Sequence, residues 1–180
     1  MGGKGNVIML RYVEGSASTA KREAGFLDAM KAHPAIKVVS ENQYGGATTE
    51  SAFQSAESLL AGTKAASGGV DGVFCVAEAT TLGMLLALEK QGLGGKLKFV
   101  GFDTSSKLVD GIHRGVLDAI VVQDPFKMGY LAVKKMSEHL KGQAIESYID
   151  TGVTLVTRQN LDEPQIAALV APDVQRWLSN

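Results

Sequence analysis

Short β-rich runs alternate with longer amphipathic stretches along the whole chain, and this alternation limits the fold more than any other feature. Asn6–Tyr12 (NVIMLRY) is rich in Val, Ile and Leu and bounded by glycines, as a buried strand is. A loop over Val13–Ala17 leads to a helix with Ser18 as N-cap, ended near His33 by Pro34. Ile36–Ser40 reads as a second strand and Asn42–Ala47 as a loop. Thr49–Ala61 then forms a helix whose apolar face is Ala52, Phe53, Ala56, Leu59 and Leu60. Lys64–Gly69 reads as a flexible linker. Further strands are expected at Val70–Val76, Leu97–Phe102, Ala119–Gln123 and Val153–Val156. Helices are expected at Thr80–Gln91, Ser105–Arg114, Phe126–Lys141 and Pro164–Leu178, the first three closed by Gly92, Gly115 and Gly142. Parallel strands require crossover helices, and those crossovers are right-handed, so the pattern predicts an α/β fold: a doubly wound parallel sheet flanked by helices.

In such sheets ligands bind beyond the carboxyl ends of the strands. The segments to weigh are therefore Tyr12–Ser18, Asn42–Thr48, Ala77–Thr81, Asp103–Ser106 and Gln123–Asp124. A chain of 180 residues suits one α/β domain and is short for two full lobes. Lys+Arg 18 against Asp+Glu 19 gives a formal charge of -1, which argues against a phosphate-binding surface for nucleic acid. The apolar run near Leu82–Leu88 is too short to span a bilayer. Cys75 is the one cysteine, so neither an intrachain disulfide nor a multi-cysteine metal site can form. Met-Gly-Gly-Lys-Gly-Asn is no signal peptide; the chain is expected to be cytosolic or to lack an upstream piece.

Several chemistries lack their residues. Gly15-Ser16-Ala17-Ser18 opens a helix, but no GxGxxG or GxxxxGK[ST] pattern accompanies it, so helix capping outweighs a phosphate cradle. No GxSxG elbow supplies a serine nucleophile. His33, His113 and His139 fall at helix ends away from strand tips, which argues against a metal site or histidine base. Nothing in the spacing of Glu14 and Asp103 makes them an acid–base pair. What remains are hydrogen-bonding groups suited to a neutral polyol, with no cofactor. Asp103 ends a strand in Gly101-Phe102-Asp103, where a carboxylate accepts hydroxyl protons; it could equally cap the next helix. Arg22, one turn into its helix, can turn a forked donor toward the strand tips. Gln123 is a polar amide ending an apolar strand, a natural binding or hinge residue.

At these residues the chain resembles the type-1 periplasmic sugar-binding proteins of ABC transporters, the ribose-binding-protein-like family. The matching stretches are EGSASTAKREAGF (Glu14–Phe26), DGVFCVAEATTLGMLLAL (Asp71–Leu88), VGFDTS (Val100–Ser105), AIVVQDPFKMGYLAV (Ala119–Val133) and TLVTRQNLDEP (Thr154–Pro164). The resemblance implies a lobe spanning 1–180, equivalent to the C-terminal half of a two-lobe protein, with 124–147 crossing over to pack on the other lobe. It implies that Arg22 holds the position of an arginine contacting sugar hydroxyls, Asp103 that of the family's GFD aspartate and Gln123 that of its hinge glutamine, all three as substrate-binding residues. Ala77 stands where the family carries an asparagine, with Glu78 beside it, and this departure puts a standard aldose site in question. Ser16 and Tyr44 join as loop members of the site, although Ala47 falls nearer the position of the family's aromatic residue.

The implied function is solute binding without bond chemistry, for a monosaccharide or polyol delivered to an ABC permease. The complete protein would be periplasmic or extracellular. A lactose-repressor-like effector core is the alternative, and a small α/β enzyme is a third reading. The Phe126–Lys141 stretch carries an apolar stripe of Gly129, Ala132, Val133, Met136 and Leu140, which is expected to stay unpacked on its own lobe or to drive self-association.

Overall fold

A computed structural model describes residues 1–175. Along the chain run β1 (Gly5–Arg11), α1 (Ala17–Lys31), β2 (Ile36–Tyr44), α2 (Thr49–Gly62), β3 (Gly72–Cys75) and α3 (Glu78–Lys90). They are followed by β4 (Lys98–Phe102), α4 (Ser106–His113), β5 (Ala119–Val122), α5 (Pro125–Leu140), β6 (Thr154–Thr157) and α6 (Pro164–Val170). The strands form one 6-stranded sheet in the order β2-β1-β3-β4-β5-β6. β2 lies on one side of β1 and β3 on the other, so right-handed connections send α1 to one face and α2, α3 and α4 to the opposite face.

Side-chain alternation along each strand sorts residues between these faces. Ile8, Leu10, Val73, Cys75, Phe99, Ile120 and Val156 join Ala56, Leu60, Leu85, Leu88, Leu108 and Ile112 in the main core. α3 is apolar all round, as a helix sandwiched between sheet and neighbours must be, and buries Leu82, Met84, Leu85, Ala87 and Leu88. The other face is covered by α1, whose Phe26 stacks on Phe74 with ring centroids 4.7 Å apart.

Several expectations from sequence are corrected. The pairing of β5 with β6 is antiparallel, so the sheet is mostly parallel rather than wholly so. A parallel sixth strand would need a helix laid across the sheet, and α5 buries no residue. The chain therefore turns back beside β5. β2 runs on to Tyr44 because Gln43 and Tyr44 pair with Leu10 and Arg11, a register that the polar Glu41-Asn42-Gln43 stretch does not advertise. The expected linker is ordered: Ala65–Ser67 make a 3-10 turn and Ala65 is buried. Ser16, not Ser18, is the N-cap of α1. Of the expected terminal helix, Pro164–Val170 is formed, and residues 176–180 lie outside the described residues.

α2 and α3 approach closely at Gly83, where a Cβ would lie 2.6 Å from both Ala52 Cβ and the Phe53 backbone nitrogen. Backbone cannot yield as a flexible side chain does, so Gly83→Ala is expected to destabilise the fold by about 1–3 kcal/mol. That corresponds to a melting-temperature drop of roughly 2–4 °C per kcal/mol for a chain of this size. A thermal melt unchanged from wild type would show that α2 and α3 can separate freely.

Candidate functional site

The parallel strands bring the carboxyl ends of β1, β3, β4 and β5 to one edge of the sheet, and Arg22 reaches across three of them from α1. Its Nη1 donates to the Val76 carbonyl after β3 at 2.8 Å. The same nitrogen lies 3.4 Å from Asp103 Oδ2 after β4. Nη2 donates to Gln123 Oε1 after β5 at 2.6 Å. The guanidinium carbon sits over the Phe102 ring, 3.8 Å from its centroid. Arg22 and Phe26 are four residues apart on one helical face, so the pair lands on Phe102 of β4 and Phe74 of β3 together.

Asp103 holds an unusual backbone, with φ 64, in the left-handed region that non-glycine residues seldom occupy. Its amide donates to the Val121 carbonyl at 2.9 Å, which fixes the turn. Oδ2 also accepts the Glu78 backbone N–H at 3.3 Å, at the start of α3. Asp103 is therefore a cross-strand acceptor and not the cap of the following helix, a place taken by Ser105. Both of these side-chain contacts use Oδ2. With the Gln123 carbonyl held by Arg22, its amide NH2 is the group left to donate. The Asp103 side chain is 34% exposed and that of Arg22 16%, so the carboxylate faces solvent while the guanidinium is largely covered.

Beneath this network Thr81 ties α3 to β4. Its hydroxyl donates to the Ala77 carbonyl at 2.8 Å and accepts the Phe102 N–H at 3.1 Å. Gly101 permits that contact, since a Cβ there would meet Thr81 Cγ2 at 2.1 Å. Ala77 is the N-cap of α3; its amide donates to Thr80 Oγ1 at 3.1 Å, and its methyl offers the site no hydrogen bond. Glu78 is exposed, and its contribution to the network is its backbone N–H.

The structure thus gathers Arg22, Asp103, Gln123, Ala77 and Glu78 through direct contacts, and Ser16 and Tyr44 take no part in that network. Ser16 makes no side-chain capping bond; its carbonyl accepts from the Thr19 hydroxyl. Tyr44 belongs to a separate cluster at the tips of β1 and β2. Its hydroxyl accepts from Arg11 Nη1 at 3.1 Å, and the Arg11 guanidinium lies 5.5 Å from its ring centroid. The contact follows from the Arg11–Tyr44 register, which a loop reading of Asn42–Ala47 hides. Sequence reasoning also missed the Val76 carbonyl and the Phe102 ring. The signals available for the ring were its place beside Asp103 and the four-residue spacing of Arg22 and Phe26. Among the described residues no group of three or more His, Cys, Asp or Glu side chains is placed to hold a metal ion. No described helix is long and apolar enough to cross a membrane.

Residues 1–144 match the family described as "Periplasmic binding protein domain". The ribose import binding protein RbsB of Haemophilus influenzae is 27% identical over 157 residues, which is 87% of this chain and 51% of that protein. This chain therefore spans about half the length of the curated relative it matches. A solute-binding protein of an ABC transporter from Agrobacterium vitis, bound with alpha-D-tagatopyranose, superposes with a TM-score of 0.86 at 29% identity, over 94% of this chain and 55% of that one. A carbohydrate transporter solute-binding protein from Agrobacterium radiobacter, in complex with D-arabinose, superposes with a TM-score of 0.85 at 31% identity, over 93% and 55%.

The Arg11 cluster carries a pH signature. Glu23 is 7% exposed, and its Oε2 lies 3.6 Å from Arg11 Nε, too far for a hydrogen bond. Burial raises the Glu23 carboxyl above its ordinary value, outweighing the pull of Arg11 and the Tyr12 backbone in the other direction. The folded state thus favours the protonated acid. The stability it contributes is fully present below the unfolded-state value and is lost as pH rises through the raised one. Glu23→Gln is expected to remove that decline, so its urea midpoint should gain on wild type as pH rises through the mildly acidic range. Parallel midpoint curves for the two proteins would refute the assignment.

Proposed function

This chain belongs to the periplasmic binding protein domain family, and from that membership we propose that it is one sugar-binding lobe of an ABC-importer solute-binding protein. The observation that carries this reading is the Arg22 network, which aligns a carboxylate and an amide across the tips of three adjacent strands. A sugar or polyol presents neighbouring hydroxyls, each able to donate one hydrogen bond and accept others. In this reading one hydroxyl donates to Asp103 Oδ1, a neighbour accepts from the Gln123 amide, and Arg22 holds both partners in place before the ligand arrives. No bond is made or broken. Relatives that bind tagatose and arabinose support a monosaccharide-sized ligand. Ala77, lacking a polar side chain, narrows the choice among such ligands. The family supports a periplasmic place of action, with an ABC permease receiving the cargo.

The site faces open solvent, and a second lobe closing over it supplies the remaining partners. α5 fits the same arrangement. Val133 is 73% exposed and Leu140 78%, and Tyr130 and Met136 on the same helix are also exposed. Burying such a stripe gains roughly 25 cal/mol per Å² of apolar area. We assign its cover to that second lobe; alone at high concentration, chains would use it for self-association.

Calorimetry of this chain against D-ribose, D-arabinose and D-fucose is expected to show weak binding that Asp103→Ala and Arg22→Ala each abolish. In a complete two-lobe protein either change should cost roughly 2–5 kcal/mol, because it strands a charged partner in a desolvated site. Unchanged affinity in both variants would make these residues structural, and sub-micromolar binding by the monomer would overturn the half-site. In sedimentation experiments the apparent mass of wild type should rise with concentration, while Val133→Glu combined with Leu140→Lys stays monomeric. A wild type that remains monomeric at every concentration would refute self-association through α5.

A further inference from the structure

We propose that Phe102 is a positioning residue whose ring fixes the plane of the Arg22 guanidinium, so that this lobe's half of the site is assembled before ligand arrives. The proposal rests on the sugar-site reading for its functional meaning, but its geometry stands without a ligand. The Arg22 guanidinium carbon lies 3.8 Å from the Phe102 ring centroid, a direct stack. Phe102 is buried at 7% exposure, so the ring is itself a fixed surface. Its backbone is anchored from the opposite side, where its N–H is held by the Thr81 hydroxyl at 3.1 Å.

A guanidinium donates only in its own plane. Laid on a ring, it has one face covered, and its N–H groups point outward in its own plane toward acceptors arranged around the rim. Those acceptors are the Val76 carbonyl, Asp103 Oδ2 and Gln123 Oε1, each from the end of a different strand. Without the floor, the long Arg22 side chain would hold the same acceptors through rotatable bonds alone, and ordering it would draw on binding energy. The second contact of the helix, Phe26 on Phe74, seats the Arg22 backbone but leaves the guanidinium free to tilt. The tilt is what Phe102 restrains. An aliphatic residue of similar size would fill the space and lose the attraction of cation for ring face.

The test reads Arg22 directly. In nitrogen–proton spectra of the whole chain without sugar, the Arg22 side-chain N–H resonance, identified by its loss in Arg22→Lys, should be displaced by the ring and slowed in rotation. Phe102→Leu should return it to the ordinary arginine position, with Phe102→Met as the same test should the leucine variant fail to fold. Phe102→Tyr, which keeps the ring, should preserve the displacement. Titration with D-ribose, D-arabinose and D-fucose should show about tenfold weaker binding for Phe102→Leu, recovered in Phe102→Tyr. An undisplaced Arg22 resonance in wild type, or one equally displaced in Phe102→Leu, would overturn the proposal. Absence of sugar binding by wild type would count against the sugar-site reading alone, since the resonance decides the positioning role by itself.

Discussion

Parallel pairing obliges the chain to cross over the sheet between neighbouring strands, and because each crossover is right-handed the strands' carboxyl ends gather at one edge. β1, β3, β4 and β5 obey this constraint, and the candidate site is built where they end. The reversal of strand order at β1 sends α1 alone to one sheet face while α2, α3 and α4 cover the other. Arg22 can therefore approach the tips from a face that no other crossover helix occupies. The site depends on topology before it depends on any contact.

Within that frame the Arg22 interactions differ in kind from the other charged pairs. Lys31–Asp28 and Arg114–Asp110 join exposed side chains within one helix, where screening and side-chain entropy leave little net gain. Arg22 is largely covered and bonds to groups on three strands, so removing it would unpair several acceptors together. Asp103 at φ 64 adds a strained backbone that its neighbours hold in place. A stiff, partly desolvated constellation of this kind suits recognition, in which hydroxyl partners must wait at fixed separations.

α5 is the counterpoint. It is capped by Asp124, whose carboxylate accepts the Lys127 N–H at 2.9 Å, and Pro125 opens it, so its local signals are complete. Yet it buries none of its residues. A helix so well specified locally and so exposed fits the second lobe proposed above as its cover.

Periodicity and punctuation in the sequence were enough to determine the order and type of the elements and the doubly wound plan. Glycines, prolines and apolar spacing act within a few residues of themselves, and so they can be read along the chain. Asp103 and Gln123 were legible for a related reason: each stands just past the end of a strand, where a polar group after an apolar run is conspicuous, while Arg22 was legible from its place one turn into α1. What the tertiary structure decided was contact between distant segments. Tyr44 was set against Arg11 by strand register, β6 was reversed because α5 does not cross the sheet, and Phe102 became the floor of Arg22 through the seating of α1. These depend on which residues meet across gaps such as the 101 positions between Arg22 and Gln123. Local patterning sets the elements, but only the packed sheet sets the distances between their ends.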